Sequence, residues 1–231
     1  MQHYSGPNTH LISTRGARAQ LSTPALMLDL EIAEENIHAM MAHCQQTGQK
    51  LRPHGKSHKC SALAKKQLEA GAVGVCCATL REAEAMTTAG VKGVLVTSPI
   101  AGPAKIGRLI QLNSQAEGFL AVVDNPTTVA LLSQAQRQHD PNKTLGLLVD
   151  LDIGTHRTGT SSSVEARALA MLIEESDNLA FYGIQAYAGH LQHIDDYSQR
   201  FEAMKVQAAL LSALVGDLRS DGLQPRIVTG G

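Results

Sequence analysis

From about residue 50 onward the chain repeats one unit: a short apolar run, a polar turn, then a helix-forming stretch. The apolar runs predict strands at 50–56, 74–79, 93–98, 118–124, 145–152, 180–188 and 226–229. Strands that are apolar almost throughout, alternating with helices, require a parallel sheet covered by helices. Helix starts are well marked. Asp29 precedes a helix whose Ile37, Met40, Met41 and Cys44 share one face, and Gly48 follows it where a left-handed stop is expected. Thr79 with Glu82 forms a capping box, Asn125-Pro126 pairs a cap with proline at the first helical position, and Ser162 or Ser163 caps a helix through Glu175.

An open doubly wound sheet and a closed barrel both satisfy this pattern. No Gly-x-Gly-x-x-Gly follows the first predicted strand, which weakens a dinucleotide-binding sheet. Polar residues instead gather at strand C-termini: Lys56, Thr79, Asp124, Asp150, Asp152, Tyr187 and Thr229. Such a rim is where a (β/α)8 barrel carries its chemistry, so the reading is α/β, a TIM-type barrel. About seven barrel strands are present where eight close the ring. The expectation is therefore an N-terminal arm at 1–23 and a barrel domain at 24–231, truncated before its last strand.

Composition narrows the function classes. The chain is 43% apolar but only 3% aromatic and has no Trp, so the core must be aliphatic. A net charge of −1 without a Lys/Arg block argues against nucleic acid. No stretch approaches the roughly 20 apolar residues of a membrane span, and residues 1–23 hold no signal-like apolar run, so a cytoplasmic protein is expected. Cys44, Cys60, Cys76 and Cys77 lack Cys-x-x-Cys spacing and read as reduced thiols.

Four stretches carry chemistry. In 51–60 the strand alternation puts Arg52, His54, Lys56 and His58 on one face. Two cations and two imidazoles on one face need polar partners, and Lys56 among them is a candidate Schiff-base amine. In 150–159 two carboxylates, Asp150 and Asp152, share a strand face, and the glycines at 154 and 159 frame a turn that throws Arg157 back over the mouth. Tyr187 ends a strand, with His190 and His193 in the loop after it. Thr229, Gly230 and Gly231 could bring backbone N–H groups close to an anion.

Taken together, Arg-Pro-His-x-Lys-x-His-Lys at 52–59, Asp-x-Gly-x-x-Arg-x-Gly at 152–159, Tyr187 with Gly189, Gln192 and His193, and Thr-Gly-Gly at 229–231 resemble the D-threonine aldolase and D-serine dehydratase-like family. Its members are fold type III pyridoxal-phosphate enzymes with an alanine-racemase-like N-terminal barrel. The resemblance implies that Lys56, and not Lys59, holds pyridoxal phosphate. It further implies that Arg157 contacts the ring-hydroxyl side, that Tyr187 lies by the ring nitrogen, and that Thr229, Gly230 and Gly231 open a phosphate loop. His193 would reach the β-hydroxyl of a small D-amino acid, giving glycine and an aldehyde, while His190 receives no role. A divalent metal (Mn, Mg or Zn) and a homodimer are implied for the full-length protein, the metal ligands coming from a β-rich domain that follows in the family. The chain by itself is then expected to be inactive. Two alternatives stay open: a D-serine dehydratase, in which Lys56 removes the Cα proton, and a non-catalytic pyridoxal-phosphate carrier, which should close its own barrel.

Overall fold

The structure, a computed structural model, describes residues 6–230. Six parallel strands form one sheet in sequential order. They are β1 (Val75–Cys77), β2 (Val94–Val96), β3 (Leu120–Val123), β4 (Leu145–Asp150), β5 (Leu179–Ala186) and β6 (Ile227–Gly230). The helices are α1 (Leu30–Thr47), α2 (Ser61–Glu69), α3 (Leu80–Thr88), α4 (Pro103–Gln115), α5 (Pro126–His139), α6 (Ser163–Glu175) and α7 (Tyr197–Ser220). The α/β class is as expected, and the sheet is a half-barrel of six strands rather than seven.

The missing strand is the first. Residues 50–56 run beside β1 but join it only through an isolated bridge between His54 and Cys76. Val73 N–H donates to Leu51 O (2.9 Å) and Cys76 N–H to Pro53 O (2.8 Å). Pro53 has no N–H to return, and the chain then coils into a 3-10 turn at Gly55–Ser57. A proline and a tight turn thus reduce a predicted strand to a flanking segment.

Side-chain alternation sorts the sheet into two faces. Val75, Cys77, Val94, Val96, Ala121, Val123, Leu147, Val149 and Ile184 face the helices in the main core. Cys76, Leu95, Leu120, Val122 and Leu148 face inward, with Tyr182 and Ile227 packed beside them. One layer further toward the strand C-termini the inward residues turn polar. Asp150, Gln185 and Thr229 lie side by side in register across β4, β5 and β6. The inner face is an apolar floor below a polar ceiling, and that transition positions the site.

The caps behave as the sequence predicts. Asp29 accepts from Ile32 N–H, Asn125 from Thr128 N–H and Ser162 from Glu165 N–H. Glu82, however, returns its bond to Ala78 N–H (2.8 Å) rather than to Thr79. Of the predicted α1 face, Met41 and Cys44 are buried, whereas Met40 is 50% exposed. Residues 1–5 of the predicted arm lie outside the described residues; residues 8 and 22 are clasped by a pair of hydrogen bonds between Asn8 and Ser22. All four cysteines are free. Among the described residues no helix is long and apolar enough to cross a membrane.

Candidate active site

A cavity of ≈ 460 Å³ opens at the C-terminal ends of the strands. Lys56, Arg157, Tyr187, Thr229 and Gly230 all line it, although they come from four separate stretches of the chain. Arg52, His54, Cys76, Thr97, Gln185 and Gln192 complete the wall. Among the described residues the lining therefore carries the cations of Arg52, Lys56 and Arg157 and no carboxylate side chain, a composition that attracts an anion.

Lys56 is placed by the turn that replaced the predicted strand. His54 caps that turn, its Nδ1 accepting the Lys56 N–H (3.2 Å), and Ser57 Oγ donates to His54 O (3.0 Å). Arg52, His54 and Lys56 reach the cavity as alternation predicts. His58 does not, because the 3-10 turn ends the alternation; its Nδ1 instead accepts Cys60 N–H (3.0 Å) ahead of α2. Lys59 also points elsewhere, adopting a left-handed φ of 49° with its amine 3.9 Å from Glu82.

Burial lowers the Arg52 guanidinium from its usual range, only partly offset by Cys76, and Arg52 Nη1 donates to Gly93 O at 2.6 Å. His54 is lowered as well, first by burial and then by the neighbouring Lys56 ammonium, against a pull upward from Glu82. Burial pushes the Cys76 thiol up to about 11 and the Cys77 thiol to about 12, so neither is a ready nucleophile.

The Arg157 turn is fixed from below. Thr160 N–H donates to Asp150 O (2.8 Å) and Asp152 N–H to Thr160 O (3.0 Å), closing the loop. Thr158 Oγ1 donates to Asp150 Oδ2 (2.9 Å) and Gly159 N–H to Asp124 Oδ2 (3.3 Å). Asp150 is 4% exposed, whereas Arg157 projects into the open cavity. Of the predicted polar rim, Thr79 and Asp124 do not line the cavity: Thr79 caps α3, and Asp124, besides holding Gly159, lines a second hollow beside α5 and α6.

Tyr187 follows β5 directly, and Gln192 Nε2 donates to its hydroxyl at 3.3 Å. His193 shares the 3-10 turn Gly189–His193 with Gln192 but is exposed and outside the lining. His190 is half-buried, and its Nδ1 is enclosed with no partner. On β6, a Cβ at Gly230 would collide with the Ala186 carbonyl oxygen, so only glycine lets the two strands approach here. Gly231 lies outside the described residues.

Thr97 and Gln185 were not singled out from the sequence. Both bear the mark that found Thr229, a polar residue ending or closely following an apolar strand. Among the described residues no group of three or more His, Cys, Asp or Glu side chains is placed to hold a metal ion.

Residues 28–231 match the family described as alanine racemase, N-terminal domain. Over 214 residues the chain is 37% identical to a 3-hydroxy-D-aspartate aldolase of Paracoccus denitrificans, covering 92% of this chain and 55% of that protein. It is 35% identical over 213 residues to a D-threonine aldolase of an Arthrobacter species, with the same two shares of 92% and 55%. The crystal structure of D-threonine aldolase from Filomicrobium marinum superposes with a TM-score of 0.88 at 36% identity, covering 92% of this chain and 57% of that one. The chain spans about half the length of the curated relatives it matches.

Proposed function

The chain belongs to the alanine racemase N-terminal domain family, and from that premise we propose that it binds pyridoxal phosphate and serves the retro-aldol cleavage of a D-β-hydroxy-α-amino acid to glycine and an aldehyde. One observation carries the reading: an amine, an arginine, a phenol and a Thr-Gly strand end surround a cavity of ≈ 460 Å³ to which no described residue contributes a carboxylate side chain. That donor set fits an anionic aromatic aldehyde, and the volume falls in the range usual for small-ligand pockets. Bound there, pyridoxal phosphate supplies an electron sink for the pair left at Cα when Cα–Cβ breaks.

The chain's own residues then divide the work. The Lys56 amine would hold the cofactor through its aldehyde carbon. Arg157 would donate to the ring-hydroxyl side, and Tyr187, steadied by Gln192, would wall the ring. The Thr229 hydroxyl and the Gly230 N–H would take the phosphate. His193 would take the β-hydroxyl proton; it shares the turn that brings Gln192 to the cavity, while its own ring is exposed outside the lining. The reading includes a homodimer and a divalent metal. The described residues offer that metal no cluster of ligands.

The test is borohydride reduction in the presence of pyridoxal phosphate, followed by peptide mapping. The label is expected on Lys56; a label on Lys59 overturns the assignment. Aldehyde release from D-threonine, set against pyruvate and ammonia from D-serine, separates the aldolase from the dehydratase. Cofactor trapping with neither product, even when the chain is assayed with the additional length its relatives carry, would favour a carrier.

A further inference from the structure

Beneath the cavity, one line of hydrogen bonds crosses the half-barrel from the Lys56 turn to the Arg157 turn. Lys56 N–H donates to His54 Nδ1 (3.2 Å), and His54 Nε2 meets Thr97 Oγ1 at 3.3 Å. Thr97 Oγ1 donates to Cys77 O (3.2 Å), while Thr97 O accepts from Gln185 Nε2 (3.0 Å). The same Gln185 amide donates to Asp150 Oδ1 (2.8 Å), and Asp150 Oδ2 accepts from Thr158 Oγ1 (2.9 Å), the residue after Arg157.

Donor accounting gives each group a single role. A backbone N–H can only donate, so His54 Nδ1 must be a bare lone pair. The neutral ring then carries its hydrogen on Nε2, aimed at Thr97 Oγ1, whose own hydrogen is committed to Cys77 O. Both amide hydrogens of Gln185 are spent, and both Asp150 oxygens are occupied. Gln185 and Asp150 are 8% and 4% exposed, so water does not readily replace these bonds.

We infer that His54 and Gln185 are positioning residues, which hold the Lys56 turn and the Arg157 turn in fixed register through this belt. The inference rests on reading Lys56 as the cofactor lysine. Geometry separates the two halves of the His54 role. His54 Nδ1 accepting the N–H two residues on reproduces an Asx-turn, which asparagine makes with its own side-chain oxygen. His54→Asn therefore keeps the bond to Lys56 and loses the one to Thr97, whereas His54→Gln has its polar end near Nε2 and His54→Phe loses both.

The experiment compares the native protein, these three variants and Gln185→Met. Pyridoxal phosphate is titrated against each, with imine absorbance and borohydride trapping at Lys56 as readouts, and far-UV circular dichroism confirms folding. His54→Phe should weaken trapping by about tenfold or more, the loss of two hydrogen bonds, and His54→Asn should restore only the share that the Lys56 bond carries. Gln185→Met should weaken trapping while leaving the His54 tautomer unchanged. Before any cofactor is added, ¹⁵N chemical shifts of His54 should report a neutral Nε2–H ring. Trapping by His54→Phe or His54→Asn equal to native, His54→Asn no better than His54→Gln, or an Nδ1–H tautomer overturns the belt. Should His54→Phe fail to fold, the Asn and Gln pair still decides it. Failure of the native protein to trap at Lys56 overturns the functional reading instead, and the tautomer then tests the belt by itself.

Discussion

Two parts of this chain are composed alike and end up differently. In the arc from β1 to β4 every strand residue is buried, and α6 buries Ala166, Leu169, Ala170 and Ile173 against it. At the flank, β6 alternates between half-buried and exposed, and the 24 residues of α7 bury only Leu214 and Leu218. Tyr197, Phe201, Val206 and Leu210 of α7 face solvent, as do Leu26, Met27, Leu28 and Ile32 near the N-terminus. Apolar spacing marks the face that calls for cover, but the cover itself must come from a neighbour. The arc has neighbours on both sides; among the described residues the flanks do not. The candidate site straddles the boundary, with Lys56 and Arg157 over the arc and Thr229 and Gly230 on its open edge.

The largest effect expected from this contrast is in the core. Leu147 is fully buried between sheet and helices, so Leu147→Ala should cost about 2–5 kcal/mol. Val206, 66% exposed on α7, should change stability by no more than about 0.5 kcal/mol on the same replacement. Equal costs in urea melts would mean that α7 is covered in solution by something absent from residues 6–230.

The seam between the regions can be broken at Gly183. Its φ is +146°, and a Cβ there would strike the Ile227 carbonyl oxygen of β6. Gly183→Ala should therefore cost about 1–3 kcal/mol of local strain, relieved by β6 letting go of β5. The expected signature is a melting point near native, fast amide exchange at Ile227–Gly230, and weaker cofactor trapping from the loss of Thr229 and Gly230. A global loss of stability without exchange at β6 would show that the edge strand belongs to the same cooperative unit as the arc.

What the sequence discloses follows the same boundary. Six of the seven predicted strands form, each within a few residues of its expected bounds, because buried parallel strands are apolar on both faces and end in turns. The seventh, 50–56, fails at Pro53, where composition reads as an extended segment but the missing N–H prevents a ladder. Of the motif residues, Lys56, Arg157, Tyr187, Thr229 and Gly230 meet in one cavity, whereas His193 stays exposed outside its lining. Gln185 and Thr97 were not legible, since a single amide or hydroxyl at a strand end has no spacing signature. His58 was misplaced because alternation does not continue past the 3-10 turn Gly55–Ser57. The exposure of α7 was illegible for another reason: an apolar helix residue looks the same in sequence whether or not its partner is present.

Helix caps give a smaller and cleaner comparison. Ser162 accepts Glu165 N–H at 3.2 Å at the start of packed α6, and Asp196 accepts Gln199 N–H at 2.8 Å at the start of solvated α7. Ser162→Ala should lower global stability by about 0.5–2 kcal/mol. Asp196→Ala should instead speed exchange only in the first turn of α7, because unfolding that turn uncovers little. A shift of the whole melting curve by Asp196→Ala would count against the division.

The finest test sets two carboxylates two residues apart against each other, one under the cavity and one on the open turn. Burial raises the Asp150 carboxyl above the usual aspartate value; bonds from Gln185 and Thr158 and the nearby Arg157 hold it down in part, while Asp124 raises it further. Partial burial also raises Asp152, but the N–H groups of Gly154 and His156, with the His156 ring, outweigh it and leave the group lowered. The signs then oppose. With a folded value above the unfolded one of about 3.9, Asp150 binds its proton more tightly when folded. Its contribution is greatest below that value and falls as pH rises through the folded one. Asp152 contributes above about 3.9 and loses its contribution as pH falls through its lowered folded value. Urea melts across the acid range should therefore lose slope just above the ordinary aspartate value in Asp150→Asn and just below it in Asp152→Asn. If Asp150→Asn keeps the native slope in that window, the carboxylate is hydrated rather than sealed beneath the cavity. The buried arc would then extend less far toward the site than the packing of β4 and β5 indicates.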